Sequence, residues 1–234
     1  MACNAGPDII EDGLVFCLDA ANINSYPKSG TTWTDVIGGN NGTLTNGPTF
    51  DSDNGGSIVF DGANDYIDIS DNGFLDRLGD SDKITVGVWI KFTGTLSHEE
   101  VLSFKPFNNN ALRLYLYPSN GVNKIILFAA GAGYNVSFSS SDGVTADNWY
   151  FICATLDSTF ELYVNGEPWS GTTGGLGSIP ATNFQASDAQ YIGKFVQGPG
   201  PELNAKISSV MFYERVLSAN EIRQNYQATL GRFT

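Results

Sequence analysis

Carboxylates are the most abundant side chains of this 234-residue chain that could take part in catalysis or bind a metal. The sequence has 25 Asp and Glu but only 12 Lys and Arg. Hydrolysis of a sugar bond needs two carboxyl groups on either side of it, about 5–5.5 Å apart in retaining enzymes. Residues at i and i+2 of a strand share a face, so such a pair should alternate along one strand. Asp65 and Asp68 lack that spacing, and the adjacent Glu99 and Glu100 should point to opposite faces. We therefore predict no catalytic pair and no enzyme.

Three other motifs match a known chemical pattern only in part. His98 is the only histidine, and no Ser or Cys nucleophile pattern accompanies it, so no catalytic triad is predicted. Residues 51–56 (DSDNGG) resemble the start of an EF-hand loop, but Gly62 stands where that loop needs a Glu, so a hairpin turn is predicted. Residues 171–177 are rich in glycine but lack the Lys and the strand-to-helix context of a phosphate loop.

The three cysteines do not indicate a disulfide framework or a metal site. Their number is odd, and no two of them have the C-x-x-C spacing of a zinc site. Cys17 and Cys153 lie inside apolar segments, where a free thiol behaves as a small buried hydrophobic group. Cys3 lies in a polar N-terminal segment and has no predicted role.

Charge and hydropathy disfavour two classes of partner. The net charge is −13 and the basic residues are scattered, so nucleic acid is not an expected partner. Membrane insertion is not expected, because no segment approaches the roughly 20 apolar residues of a membrane helix. Residues 1–12 lack the basic and apolar regions of a signal peptide, so we expect synthesis and retention in the cytoplasm.

Short apolar or alternating segments, separated by Gly, Asn and Pro, predict a chain made almost entirely of strands. Asn165 and Gly166 predict a tight hairpin turn, because both residues tolerate positive φ. Residues 20–47 and 170–190 are rich in small polar residues and glycine and are expected to be loops, the first anchored by Trp33. Two antiparallel sheets packed face to face are the expected architecture.

One helix is predicted near the C-terminal end. Ser218 and Glu221 have the S-x-x-E spacing of a capping box, and Gly231 is suited to the C-terminal stop. The apolar residues of one helical face repeat at i, i+4 and i+8: Ile222, Tyr226 and Leu230. We expect a short surface helix that seals one end of the sandwich.

Six segments in chain order resemble laminin-G-like, concanavalin A-like jelly-roll domains, over roughly residues 13–230. They are GLVFCLDAAN at 13–22, the Trp33-Thr34-Asp35 loop with GGNNGTL at 38–44, SIVFDGANDYIDI at 57–69, ITVGVWIKF at 84–92, NWYFICATLD with FELYVNGEPW at 148–169, and AKISSVMFYERVLSANEIRQNY at 205–226. The resemblance implies an all-β, two-sheet antiparallel jelly-roll sandwich with one short C-terminal helix. The domain would span residues 13–234, after a leader or arm at 1–12.

The resemblance also implies a candidate metal site. The family often binds one calcium ion through loop carboxylates and backbone carbonyls, which suits the oxygen preference of Ca²⁺. The positions in or beside the first two similar segments are Asp19, Asp35 and Asn41. The alternative interpretation is that Asp19 and Asp35 cap turns.

The resemblance to this family also implies an expected function. Its members include glycan-binding modules, adhesion domains and virion proteins, and residues 13–22 with NGTLTNGPTF at 41–50 are most similar to stand-alone domains of tailed-bacteriophage structural proteins. We expect a non-enzymatic virion protein, a capsid decoration or a tail or fibre component, that contacts other virion proteins and itself as a homo-oligomer. The alternative is a module that binds cell-surface or environmental glycans. A glycan-active enzyme is disfavoured, because the E-x-D-x-x-E pattern of laminarinase-type relatives is absent.

Tryptophans are the residues most suited to stack on a sugar ring. We expect Trp33, Trp89 and Trp149 to pack in the core. Trp169 directly follows the predicted Asn165-Gly166 hairpin, so we expect it to be exposed and consider it the candidate glycan-binding residue.

Overall fold

A computed structural model describes residues 7–69, 83–104, 111–131, 134–157, 159–176, 190–195 and 202–234. Cys3 lies outside these residues. The described strands, in chain order, are β1 (Leu14–Asp19), β2 (Thr32–Trp33), β3 (Gly42–Thr45), β4 (Thr49–Asp51), β5 (Ser57–Asp61), β6 (Tyr66–Ile69), β7 (Lys83–Phe92), β8 (Glu99–Phe104), β9 (Ala111–Ser119), β10 (Val122–Gly131), β11 (Tyr134–Gly143), β12 (Trp149–Asp157), β13 (Thr159–Val164), β14 (Glu167–Trp169), β15 (Gly171–Leu176), β16 (Gln190–Ile192) and β17 (Asn204–Tyr213). The described helix is α1 (Ala219–Leu230).

These strands form two antiparallel sheets, which confirms the predicted sandwich. Sheet A has the spatial order β14-β13-β12-β7-β17-β5-β4, and β1 pairs with β17 beyond the part that β5 occupies. Sheet B has the order β15-β11-β10-β9-β8-β16-β6-β3-β2. Strands adjacent in space are often distant in sequence, so the chain passes repeatedly from one sheet to the other, as in a jelly roll.

The inner faces of the two sheets enclose the main hydrophobic core. Its largest fully buried side chains include Trp33, Phe16, Phe60, Phe92, Phe104 and Phe212. Burial of each such side chain contributes about 1.5–3 kcal/mol relative to exposure. Trp33 is confirmed as the anchor of the segment that follows β1.

Local turn signals are confirmed. Asn165 and Gly166 have φ values of 54° and 79°, and they connect β13 to β14 in a tight hairpin. Residues 51–56 include a short 3-10 turn, Asp53–Gly55, that connects the antiparallel strands β4 and β5. The hairpin interpretation of this EF-hand-like segment is therefore correct.

Two expected loops contain strands. Within residues 20–47, the short β2 and β3 form the edge of sheet B beside β6. Residues Gly171–Leu176 form β15, which pairs with β11 at the opposite edge. A Cβ atom on Gly171 would lie 2.3 Å from the ring of Phe138, so glycine permits this close approach. The glycines of residues 171–176 predicted a loop. The segment is instead a strand, because its backbone pairs with β11 at the edge of the sheet.

Helix α1 begins at the predicted capping box and packs on sheet A. The Ser218 hydroxyl accepts from the Glu221 amide at 3.4 Å, and the Glu221 carboxylate accepts from the Ser218 amide at 2.7 Å. The helix ends before Gly231, whose φ of −57° is right-handed, so the C-terminal stop does not use the left-handed conformation typical of glycine. It lies on the outer face of sheet A rather than at an end of the sandwich. Nowhere in the described part of the chain does a helix have the length and apolar character needed to cross a membrane.

The outer face of sheet A is covered by both ends of the described chain. We call it the covered face; its buried members include Trp89, Phe151, Cys153, Tyr163, Met211 and Tyr213. Helix α1, residues 7–12 and Phe233 pack against it. The Trp89 ring stacks on Phe233 at 3.9 Å between centroids, and its Nε1 donates to the Thr229 hydroxyl at 2.7 Å. This closure makes β7 buried on both sides.

The covered face explains the two described cysteines. Cys17 and Cys153 are free thiols buried in this layer, as predicted. Burial raises the pKa of Cys17 to about 12 and raises the pKa of Cys153 as well, so both stay protonated at neutral pH. Neither is suited to nucleophilic chemistry.

Candidate functional site

The outer face of sheet B carries a continuous group of aromatic and charged side chains. In β6 and β9, buried residues alternate with half-buried or exposed ones, so one set faces the core and the other faces outward. We call the outward set of β6, β16, β8, β9 and β10, with the two residues after Gly193, the open face. Its main members are Tyr66, Asp68, Tyr191, Lys194, Phe195, Glu100, Ser103, Arg113, Tyr115, Tyr117 and Phe128.

Strand register places several of these residues in one row across the sheet. The Cα partners run from Asp68 to Tyr191, then Ser103, Arg113 and Phe128. Directly opposed residues on one face of a sheet have Cβ atoms about 4.5–5.5 Å apart. Residues that lie far apart in the chain therefore form one surface. Across the described residues, no strand or helix packs over this surface as α1 packs over sheet A.

Arg113 is the centre of the first group on this face. Its Nε and Nη2 donate to the two carboxylate oxygens of Glu100 at 2.8 and 2.6 Å, a bidentate pair. The Glu100 side chain is fully buried, and 14% of the Arg113 side chain is exposed. The guanidinium carbon lies 4.4 Å from the ring centroid of Tyr115 and 4.5 Å from that of Phe195. Two aromatic rings and one carboxylate thus fix the guanidinium plane.

Lys194 is the centre of the second group. Its Nζ lies 3.9 Å from the ring centroid of Tyr66 and 4.9 Å from that of Tyr191, and these two rings meet edge to face at 5.3 Å. Asp68 and Glu202 both lie within electrostatic range of Lys194. Burial raises the pKa of Tyr191, so its hydroxyl stays protonated and can donate at neutral pH.

His98 extends the open face beside β9. Its ring centroid lies 5.1 Å from that of Tyr115 and 5.5 Å from that of Tyr117. Burial, and to a smaller extent the charge of Arg113, lower the pKa of His98, so the ring is neutral at neutral pH. Its buried Nε2 atom has no hydrogen-bond partner. This end of the face therefore offers a group of aromatic rings, tilted or edge to face, without an added positive charge.

This arrangement suits a ligand that has both apolar faces and hydroxyl groups. Aromatic rings provide flat apolar surfaces, and the tyrosine hydroxyls beside them donate and accept hydrogen bonds. A few polar groups among aromatic side chains are typical of small-molecule sites. Sugars have this dual character. The geometry can therefore stack and orient a sugar.

Glu99 and Glu100 point in different directions, as predicted. Glu100 faces Arg113 on the open face, whereas the Glu99 carboxylate accepts from the Asn204 amide at 2.7 Å and from the Ser97 hydroxyl at 3.0 Å. Burial raises the pKa of both groups, against the opposing effect of these donors. The two carboxylates do not share one side of the sheet, so they cannot flank one bond.

The calcium candidates lie together near the end of β1. The Asp35 carboxylate is buried and accepts from the amides of Cys17, Ile37, Gly38 and Asn40 at 2.9–3.0 Å and from the Asn40 side-chain amide at 3.3 Å. The Asn41 Oδ1 accepts from the Asp35 amide at 3.0 Å.

Asp19, the third candidate, is also engaged: its Oδ1 accepts from the Ala21 amide and from Arg232, each at 3.0 Å. These bonds fit the turn-capping alternative, because N–H donors occupy positions that a cation would need. No three His, Cys, Asp or Glu side chains of the described ranges form a metal-binding group. Calcium binding stays a prediction; an increase in melting temperature with millimolar calcium would support it, and no change would contradict it.

Trp169 lies in the edge strand β14 of sheet A, outside the open face. It is half-buried and packs against the main core, rather than being exposed as the hairpin position indicated. Trp33 and Trp89 are fully buried, as expected, and half-buried Trp149 packs on the covered face and donates from Nε1 to Asn54 at 3.0 Å. The glycan contact of Trp169 stays a prediction.

Sequence reasoning missed the open face. A signal was present in residues 113–117 (RLYLY), where polar or aromatic residues alternate with leucine. That pattern predicts an outward set on one strand. Only the strand register shows that Asp68, Tyr191 and Arg113 lie in the same row.

Comparison with known proteins agrees with this architecture. A search of curated protein sequences gives no match. The Laminin_G_3 family model, described as "Concanavalin A-like lectin/glucanases superfamily", matches residues 61–223, well over half of the chain. That range includes every main member of the open face.

Solved structures with the same fold come from several contexts. Trypanosoma rangeli sialidase in complex with the inhibitor DANA has a TM-score of 0.67 and 16% identity, over 100% of this chain and 35% of the sialidase. Domain 4 of AbnA, a GH43 extracellular arabinanase from Geobacillus stearothermophilus, in complex with arabinotriose, has a TM-score of 0.66 and 17% identity, over 93% of this chain and 100% of that domain. The receptor binding domain of botulinum neurotoxin C/D mosaic serotype has a TM-score of 0.65 and 14% identity, over 93% of this chain and 51% of that chain.

The chain spans about a third of the sialidases that it matches. At these identities the structural likeness establishes the fold alone. The family model and the two-sheet architecture together establish the relationship. The chain belongs to the concanavalin A-like lectin/glucanase superfamily.

Proposed function

We propose that this chain is a non-enzymatic carbohydrate-binding module, and that its ligand lies on the open face. The observation that carries the proposal is the row of outward aromatic and polar side chains across β6, β16, β8, β9 and β10. These rings are half-buried rather than enclosed in a core, so a ligand can reach them.

The relatives support this choice of ligand class. One structural neighbour, a domain matched over its whole length, was determined in complex with arabinotriose, and the family description includes lectins. The covered face is a poor candidate, because α1 and residues 7–12 already occupy it. Among the two outer faces, the open face alone combines accessible rings with hydrogen-bonding groups.

The absence of catalysis is part of the proposal. Glycoside hydrolysis uses one protonated and one ionised carboxyl group on either side of the bond. On the open face, the buried Glu100 is held by Arg113, and the neighbouring Glu99 points toward Asn204. We expect no hydrolysis of any oligosaccharide that binds.

Loss of binding on substitution of open-face rings tests the proposal. A glycan array would first identify a ligand. We expect Tyr191→Ala and Tyr115→Ala each to raise the dissociation constant of that glycan at least tenfold, because each substitution removes both a stacking ring and a hydroxyl group. Trp169→Ala is the matched control, because it removes an aromatic ring of sheet A that lies outside this face. Isothermal titration would measure both effects, with circular dichroism to verify folding.

The opposite pattern would contradict the placement. If Trp169→Ala abolished binding while the two tyrosine variants bound normally, the ligand would lie beside β14. If no glycan bound the wild-type chain at any concentration up to millimolar, the proposed function itself would be wrong.

A role in a phage particle is a second candidate. It rests on the similarity of residues 13–22 and 41–50 to phage structural domains. In that role the chain would be a capsid decoration or a tail or fibre part, made in the host cytoplasm and present as a symmetric oligomer. The two candidates are compatible, because a surface decoration can adhere to glycans. Mass spectrometry of purified virions tests this candidate, and virions that lack the chain would exclude it.

A further inference from the structure

We infer that the open face selects an uncharged oligosaccharide, and that Glu100 is a specificity-determining residue because it neutralises Arg113. This inference rests on the proposed function and adds the chemical class of the ligand. It is carried by the positions of the charges on the face, the geometry of the Glu100–Arg113 pair and the spacing of the two aromatic groups.

Carboxylates lie beside two of the three cations described on this face. Arg113 pairs with Glu100, and Asp68 and Glu202 lie within electrostatic range of Lys194, while Lys124 of β10 is the third cation. The whole chain has a net charge of −13, so its long-range field repels anions. A sulfated or uronic-acid polymer would therefore meet no excess of positive charge. An uncharged sugar incurs no such repulsion.

Glu100 occupies one bidentate edge of Arg113, an edge that an acidic sugar could otherwise use. Arginine recognises carboxylate and sulfate groups through two parallel N–H donors, and here the Nε and Nη2 donors already bind Glu100. Ser103, the row neighbour of Arg113, also donates to the Glu100 carboxylate. Because the Glu100 side chain has no exposed surface, an incoming anion cannot simply displace it into solvent. The guanidinium is thereby left as a planar partner for Tyr115 and Phe195.

Tyr191 and Tyr115, one ring from each group, extend from strands that are not neighbours. Tyr191 lies on β16 and Tyr115 on β9, with β8 between them. Neighbouring strands are about 4.8 Å apart, so the two backbones are separated by about 10 Å. This distance exceeds the width of a single pyranose ring. We therefore expect a ligand that contacts both Tyr191 and Tyr115 to contain at least two sugars.

An array of matched glycans tests the class of ligand. Each pair would consist of a neutral oligosaccharide and the same oligosaccharide with one added sialic acid or sulfate. We expect the wild-type chain to bind the neutral member at least tenfold more tightly. Its dissociation constant should change less than twofold between about 20 and about 500 mM NaCl, because no ion pair forms with the ligand.

Two variants test the role assigned to the carboxylates. Glu100→Gln leaves Arg113 without its counter-charge, and we expect the preference for the neutral member to fall by about tenfold. Asp68→Asn should lower the preference for the neutral member by a smaller factor, because it removes a carboxylate near Lys194. Asp68 is exposed, so we expect this variant to fold normally. Glu99→Gln is the matched control, because this adjacent buried carboxylate faces Asn204 rather than the ligand, so the preference should not change.

The outcomes separate this inference from the proposed function. If acidic glycans bound more tightly than neutral ones, and Tyr191→Ala still abolished that binding, the uncharged class would be wrong and the carbohydrate-binding module would stand. If Glu100→Gln and Asp68→Asn both kept the wild-type preference, the carboxylates would not determine specificity. If neither class bound at all, the proposed function would fail. A monosaccharide that bound as tightly as its oligosaccharide would overturn the two-sugar requirement.

Discussion

The two outer faces of this sandwich use similar residue types in different ways. On the covered face, Trp89, Phe151 and Tyr226 pack against one another and Phe233 completes the layer. On the open face, Tyr66, Tyr115, Tyr191 and Phe195 contact cations and remain partly accessible. Aromatic content therefore does not distinguish a structural layer from a binding surface. What distinguishes them is whether a segment within the described ranges packs over the face.

Trp89→Ala should have the largest effect, and it acts on the covered face. We expect a loss of about 3–5 kcal/mol in the free energy of unfolding, because truncation leaves a cavity beneath α1 and removes the bond to Thr229. Urea denaturation would measure the loss. Glycan affinity at low temperature, where the variant is folded, should be unchanged; a matched loss of affinity would mean that the two faces are not independent.

Arg113→Met tests the main polar element of the open face. It leaves the fully buried Glu100 without its charged partner, and we expect a loss of about 3 kcal/mol in the free energy of unfolding at neutral pH, in the range for a broken buried pair. Burial already raises the pKa of Glu100, and loss of Arg113 removes an opposing effect, so Glu100 should become protonated more readily as pH falls and the cost of the substitution should decrease. Chemical denaturation at several pH values would measure this. A cost that did not depend on pH would mean that Glu100 is already protonated.

Glu221→Gln tests the anchoring of α1 on the covered face. Arg215 and the Ser218 cap hold the pKa of Glu221 at about 2, below its ordinary value of 4.5. A carboxylate with a depressed pKa stabilises the folded state above pH 4.5, and this contribution is lost as pH falls toward 2. We expect Glu221→Gln to lower the free energy of unfolding by about 1 kcal/mol at pH 7, as loss of a helix cap does. Near pH 2 it should have almost no effect. Thermal melts across this range would check it, with a pH-independent cost as the contrary result.

Tyr191→Ala should have the smallest effect on stability, although it lies at the centre of the proposed binding row. Its ring is half-buried and lies on the open face rather than in the main core. We therefore expect a loss of less than about 1 kcal/mol in the free energy of unfolding. Comparison of its melting temperature with that of Trp89→Ala sharpens the contrast between the faces. A loss as large as that of Trp89→Ala would indicate that the open face is a structural layer.

The sequence predicted the elements better than the surfaces. The capping box at Ser218 and the hairpin at Asn165-Gly166 depend on residues a few positions apart, so they were visible locally. β15 was missed because its glycines lack strand propensity and its pairing with β11 supplies the stabilisation. Local signals determine where chain segments turn, and long-range pairing can override them.

The candidate sites were predicted less well, for the same reason. Trp169 was expected to be exposed because it follows a turn, but the main core lies beneath β14 and its ring packs there. The row from Asp68 to Phe128 depends on four separate strand registers, none of which follows from spacing along the chain. Residue types alone showed rings and charges without showing which of them are neighbours.

The position of the described chain ends has a consequence for presentation. Residues 7–12 and Phe233 both pack on the covered face, on the far side of the sandwich from the proposed sugar row. A surface or support joined near either end would therefore lie behind the domain and leave the row directed outward. Several copies tethered in this way would present their open faces in parallel, so that contacts made by each copy would combine through avidity.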